Sequence, residues 1–198
     1  MDERKKFTSK DLLRQLRPAP ELAYEFSNEQ VTEGVRYFLR YVGYAFEENV
    51  DKGKVDFDAR RREANVTYRI LGVVKHSMKE VADGIAQLKR VKQELGQEEN
   101  TDYVIALPPV QERHLIDYMV ADDYRLYKEL RQNGFLVWIC NPEEKSVWCC
   151  QGSPKDMRFK DYFKVQTGGD LIVRLATMPF RGDKDQYRKR VIEELMEQ

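Results

Sequence analysis

The residues of this chain best placed to do chemistry together lie between positions 33 and 90. Asp56 and Asp58 flank Phe57 in the alternating run Lys54-Val55-Asp56-Phe57-Asp58-Ala59-Arg60, so both carboxylates share one face of a strand. A second run, Val66 to Lys75, ends in Val73-Val74-Lys75. Val73 and Lys75 share a face there, and the Lys75 head stands at the strand's end, where it reaches solvent or a phosphate. His76 follows, an imidazole of the kind that serves as a general base or a phosphate contact. Glu80 lies one turn into the next helix on the same face as Gln87. It also completes the capping-box sequence Ser77-Met78-Lys79-Glu80, in which it bonds back to the Ser77 amide, and this local role is the stronger expectation. Glu33 sits off the apolar stripe of an earlier helix, on a face shared with Glu29, Arg36 and Arg40. Two basic clusters, Arg60-Arg61-Arg62 and Lys89-Arg90-Lys92, could hold phosphates, although such runs also make ordinary solvated faces. Tyr37, Tyr41, Tyr124 and Tyr127 recur at helical spacing, a pattern of core or interface before base stacking.

The elements that must position these groups follow from periodicity. Ser27 or Asn28 caps a helix with Val31, Val35, Phe38, Leu39 and Val42 on one side, closed by Gly43. Strands follow over 54–60 and 66–75, joined by a short polar turn, and then a helix starting at Ser77 and ending near Gly96. Tyr103 to Leu107 reads as a buried strand closed by Pro108-Pro109, and Asp122 or Asp123 caps a helix running to Gly134. Strands over 135–140 and 146–150 are joined at Asn141-Pro142-Glu143-Glu144. The sum is an α/β protein, and a right-handed crossover through the helix over 77–95 sets its flanking strands side by side and parallel. Residues 1–27 form an arm with a short helix before Pro18-Ala19-Pro20, 28–150 the core, and 151–198 an extension with a strand over 171–175 and a charged terminal helix from Asp183.

This order, with the residues it carries, resembles the restriction-endonuclease-like, or PD-(D/E)XK, nuclease superfamily from about Asn28 to Cys150. The matching features are Glu33 on a first helix that ends near Gly43-Tyr44, an Asp on the next strand (Asp56 or Asp58), the triplet Val73-Val74-Lys75 at the acid-x-Lys position, and Gln87-Leu88 in the helix after it. The resemblance implies a mixed central sheet flanked by helices. It also implies a site where the strand Asp and the motif acid hold Mg²⁺ while the Lys orients or activates the attacking water. Val73 stands where the motif acid belongs. Of the two aspartates Asp58 is favoured, being nearer the strand's end.

Two functions follow from the resemblance. In the first, a Mg²⁺-dependent DNA phosphodiester hydrolase, Asp58 and a displaced acid, Glu80 or Glu33, hold the metal. Lys75 and Gln87 complete the catalytic set, and Arg60, Arg61, Arg62 and His76 contact nucleic acid. In the second, the site is silent and the domain binds nucleic acid or protein, with the arm and the terminal helix suited to docking or to a homodimer.

Composition constrains both. The 198 residues carry 34 Lys+Arg against 34 Asp+Glu, so any attraction for nucleic acid must come from a local basic face. Cys140, Cys149 and Cys150 form no even framework and no C-x-x-C pair, and are expected to be reduced core thiols. No apolar run approaches the ~20 residues of a membrane helix. The start, Met1-Asp2-Glu3-Arg4-Lys5-Lys6, lacks a signal-peptide stretch, so a cytoplasmic protein is expected. A Gly-rich phosphate loop, a nucleophile elbow and a metal-spaced His/Cys cluster are all missing from the sequence, which sets aside nucleotide hydrolases, α/β-hydrolases and zinc enzymes.

Overall fold

A computed structural model of the chain describes residues 26–48, 50, 54–96, 98–110 and 112–159. The expected arm, the strand over 171–175 and the terminal helix lie outside these residues. The described elements are α1 (Asn28–Tyr41), β1 (Ala45–Glu48), β2 (Phe57–Glu63), β3 (Val66–Val74), a 3₁₀ turn (Met78–Glu80), α2 (Val81–Leu95), β4 (Thr101–Leu107), α3 (Glu112–Asn133), β5 (Phe135–Asn141) and β6 (Ser146–Gln151).

Helix α1 starts where its cap chemistry dictates. The Ser27 hydroxyl accepts from the Gln30 amide, and Gln30 Oε1 accepts from the Ser27 amide in return, so two orphan donors are satisfied. It stops at Gly43, whose φ of +89° is the left-handed conformation that glycine adopts without a Cβ clash. The spacing of Val31, Val35, Phe38 and Leu39 makes one buried stripe.

The six strands form one sheet in chain order, β1-β2-β3-β4-β5-β6. The β3–β4 and β4–β5 pairs are parallel and the rest antiparallel. The expected crossover is present: α2 connects β3 to β4, with Val73 opposite Ile105 and Val74 opposite Ala106. The period of two sends alternate residues to two separate cores. Against α1 lie Phe57, Ala59, Ile70, Val74, Val104, Ala106, Leu136 and Trp138. Against α2 and α3 lie Leu71, Val73, Ile105, Leu107, Phe135, Val137 and Ile139. Strand β4 is buried along its whole length, as the apolar run Tyr103 to Leu107 requires, and the burial extends to Thr101 and Asp102 at its start. Burying a Val, Leu, Ile or Phe side chain is worth roughly 1.5–3 kcal/mol, so these two layers supply most of the folding drive. The result is a mixed α/β sheet flanked by three helices, consistent with a restriction-endonuclease-like fold.

Four local expectations need correction. Strand β2 covers 57–63 rather than 54–60, because the arginine run pairs across to β3 as far as Glu63 opposite Val66. Strand β1 was not foreseen: four residues at a sheet edge, mostly exposed, carry no apolar alternation. Helix α3 begins at Glu112, ten residues before the first acid expected to cap it. The turn after Lys75 passes through 3₁₀ geometry before α2, and the Ser77 side chain makes no cap bond. All three cysteines are buried thiols outside any disulfide, and burial pushes the Cys140 and Cys149 thiols up to about 12. Among the described residues no helix is long and apolar enough to cross a membrane.

Candidate functional site

Lys75 leaves β3 with its backbone amide still paired to the Ala106 carbonyl at 2.9 Å, so the sheet fixes where its side chain starts. Its Nζ donates to Gln87 Oε1 at 3.0 Å, and Gln87 Nε2 donates to the Lys54 carbonyl at 2.9 Å. One amide therefore ties the end of β3, helix α2 and the approach to β2 together. Lys54 Nζ in turn pairs with Glu94 of α2 at 2.5 Å. Beside this cluster an open groove of about 560 Å³ is lined by Lys54, Asp83, Ala86, Gln87, Arg90, Val91 and Glu94.

The register of β2 on β3 separates the two aspartates that alternation could not. Asp56 donates its amide to the Gly72 carbonyl, and its Oδ2 accepts the Val74 amide at 2.6 Å, which puts its carboxylate at the Lys75 end of β3. Asp58 instead lies opposite Leu71, four residues short of Lys75. The Asp58 side chain is 1% exposed and accepts from Arg69 Nη2 and Arg60 Nη2, each at 2.8 Å. Arg69 reaches on to Glu98 at 3.1 Å, and Glu98 accepts the Thr101 hydroxyl at 2.7 Å. Burial opposes the Arg69 charge, yet Asp58 and Glu98 outweigh it and raise the Arg69 pKa. Asp58, the favoured aspartate, is thus the anion of a buried ion-pair network, and strand register places Asp56 rather than Asp58 beside Lys75.

The remaining candidates divide between the corner near Lys75 and other surfaces. Glu80 Oε2 accepts the His76 amide at 3.1 Å, a local cap one residue short of the Ser77 amide expected. Glu33 sits on α1, across the sheet from Lys75, and pairs with Arg36 at 2.6 Å; Arg36 also contacts Glu48. Val73, at the motif-acid position, is 0% exposed within the core against α2 and α3. Of the three arginines, Arg60 and Arg62 are exposed, but Arg61 is buried and faces the other side of the sheet, which removes it from any nucleic-acid surface in this fold.

Arg61 belongs to a buried cluster of its own. Its Nη2 and Nε contact Asp156 Oδ2 at 2.7 and 3.0 Å, and the Tyr44 hydroxyl donates to the same oxygen at 2.8 Å. Burial works to raise the Asp156 pKa, but the Tyr44 hydroxyl, Arg61 and the Arg158 amide together hold it below the usual carboxylate range. The Gly43-Tyr44 pair is explained by this clamp: the glycine turns the chain and the tyrosine reaches Asp156.

Lys92 of the second basic cluster donates to the Asn133 carbonyl at 2.7 Å, and Lys89 pairs with Glu129 at 2.9 Å, so both brace α2 against α3. Tyr127 is buried, whereas Tyr37 is half exposed beneath the Lys145 ammonium and Tyr41 is 71% exposed. The Tyr124 side chain lies outside the described ones.

Among the described residues no group of three or more His, Cys, Asp or Glu side chains is arranged to hold a metal. Mg²⁺ takes oxygen ligands, usually one or two carboxylates together with substrate phosphates. Asp58, committed to two arginines, does not fit that need. Asp56 and Glu80 offer oxygens of the right kind, each already accepting a backbone N–H.

No family model and no curated protein matches the chain. A solved structure of an XisH family protein from Nostoc punctiforme PCC 73102 is similar over 60% of this chain and 96% of its own, with a TM-score of 0.43 and 15% identity. A likeness this slight says nothing of chemistry.

What sequence reading missed at this corner is the Lys54 carbonyl, which orients Gln87, and the registration of Asp56. A two-residue period places Asp56 and Asp58 alike, and only the pairing partner across the ladder tells them apart.

Proposed function

We propose that this chain is a restriction-endonuclease-like domain of the PD-(D/E)XK superfamily that has lost its metal-holding acid and works by binding nucleic acid without cutting it. The observation that carries the reading is Val73: the motif-acid position is filled by a side chain packed wholly in the core, so that position opens to no cleft. Lys75 and Gln87 keep the family's polar frame at the strand end, and exposed Arg60, Arg62 and His76 supply positive or hydrogen-bonding groups for phosphates.

A second reading rests on a separate observation. Asp56 and Glu80 accept the backbone amides on either side of Lys75, of Val74 and His76, so two carboxylates flank that residue. On this reading they would hold Mg²⁺, which would supply charge neutralisation at a phosphodiester.

One experiment separates the two. Mg²⁺ and Mn²⁺ binding are measured by calorimetry on the native chain and on Asp56→Asn, with nicking of supercoiled DNA followed in parallel and duplex binding by fluorescence anisotropy across a salt series. The silent reading expects duplex binding, no metal uptake and no nicks, with Arg60→Ala and Arg62→Ala each reducing the salt slope by about 1. Metal uptake and nicking that vanish in Asp56→Asn would establish the second reading. A native chain that binds no duplex would sink the nucleic-acid role and leave protein interaction.

A further inference from the structure

We infer that Gly84 is a positioning residue for Lys75: by lacking a side chain it lets the lysine stem lie across helix α2 so that the ammonium meets Gln87. Gly84 sits in the first turns of α2, buried, where the other buried positions are Val81, Ile85, Leu88 and Val91. Glycine there costs helix stability relative to alanine, so its presence calls for a spatial reason. A Cβ at position 84 would stand 3.3 Å from Lys75 Cε, 3.4 Å from Lys75 Cγ and 3.4 Å from Ile105 Cδ1. The Cε contact is tighter than such carbons usually make and the Cγ contact is at van der Waals distance, and both fall along the stem of a side chain whose far end is already committed.

That commitment is what gives the contact a consequence. Gln87 is three residues beyond Gly84, on the same face of the helix. Its amide has one workable orientation. The Lys75 ammonium only donates and the Lys54 carbonyl only accepts, so the oxygen must face Lys75 and the nitrogen Lys54. A Cβ at 84 has no backbone atom among these contacts, so the lysine stem is what yields, by a few tenths of an ångström, and the 3.0 Å bond to Gln87 is strained while the fold is kept. The positioning stands on this geometry alone. Only its effect on nucleic-acid binding rests on the function proposed above.

The test uses the full chain labelled with ¹⁵N-lysine, reading the side-chain Nζ–Hζ resonances by NMR, with Lys75 assigned by its loss in Lys75→Met. Gln87→Leu reports the Lys75 signal without its partner. In Gly84→Ala the Lys75 signal is expected to move toward the Gln87→Leu position and to exchange faster with water, with backbone amides elsewhere unchanged and the melting temperature equal or higher. A Lys75 signal that stays at its native position in Gly84→Ala overturns the inference, since a merely tolerated glycine predicts a more stable helix and an undisturbed lysine. If Gly84→Ala does not fold, the Lys75→Met background decides. With methionine free to move aside, Gly84→Ala should fold there, and a double variant that still fails would make Ile105 the clashing neighbour and refute the inference. Duplex binding is read on the same proteins: equal, non-additive weakening by Gly84→Ala and Lys75→Met joins the two readings. Absence of binding by the native chain counts against the proposed function and leaves the resonance to judge the positioning.

Discussion

Asp58→Ala separates a metal ligand from a structural anion by the sign of its effect on stability. Asp58 is 1% exposed and Arg69 15%, with 2.8 Å between their closest atoms. Breaking a buried pair by deleting one partner strands the other charge and costs about 3–5 kcal/mol. Arg60 adds little to the sum, because it is 56% exposed and pairs at such sites are worth roughly 0–1 kcal/mol. Arg69 keeps Glu98 after the deletion, so the lower end applies, about 3 kcal/mol. For a chain of this size each kcal/mol moves the melting temperature by roughly 2–4 °C, giving a drop of about 6–12 °C. The assay is thermal and urea unfolding in EDTA and again in excess Mg²⁺, on native chain, Asp58→Ala, Arg69→Met and the double variant. The loss is expected to be equal in both buffers, and the double variant to lose less than the two single losses added together. A metal-holding carboxylate behaves oppositely: removing it from the metal-free protein leaves stability unchanged or raises it, and Mg²⁺ stabilises the native chain alone. That second pattern would falsify the ion-pair account.

Further expectations concern other parts of the molecule. Val73→Glu should fold poorly at pH 8 and recover partly near pH 5, as urea titrations will read, since it places a carboxylate in a fully apolar layer; a stable variant that takes up Mn²⁺ would mean position 73 opens to a cleft. Burial lifts Asp102 to about 6 despite the Lys155 amide and ammonium, with Asp156 adding to the rise. A folded pKa above the unfolded value means the folded state binds the extra proton, so this group's contribution improves as pH falls from above 6 toward 4. Asp102→Asn should therefore stabilise at pH 7.5 by up to roughly 3 kcal/mol and lose that advantage below about pH 4; an unchanged pH profile would show that burial is not what governs this carboxylate. The three thiols should react with an aromatic disulfide reagent only as fast as the chain unfolds, and a rapid native-state reaction at any of them would contradict their burial.

The legible parts of this fold are those where one period dominates. The stripe of α1 and the buried runs of β4 and β5 can be read from residue types, because each element faces one or two apolar layers and nothing else. Strand β1 was hidden because an edge strand held by backbone pairing to β2 needs no apolar pattern. The start of α3 was hidden by Asp122 and Asp123, which look like caps yet fall inside the helix. At the candidate site, Lys75 and Gln87 were named separately through the family resemblance, and their hydrogen bond to each other is a feature of the fold. The division of labour between Asp56 and Asp58, and the burial of Arg61, depend on strand register and on Asp156, ninety-five residues away from Arg61, which no local window contains.

Because the strands add to the sheet in the order they are made, each one leaving the ribosome meets an edge already built, and the sheet can grow with synthesis. The layer beneath α1 cannot close on that schedule. Phe159 fills the space between Phe38, Tyr44 and Trp138, and Asp156 brings the buried anion for Arg61, so a nascent chain halted short of these residues holds six strands, an unfilled apolar layer and a buried arginine left with Glu63 alone. The layer beneath α1 is completed only by residues from the far end of the described chain. Pausing or truncation just before these residues should yield a species that is nearly native in backbone and prone to be captured by chaperones.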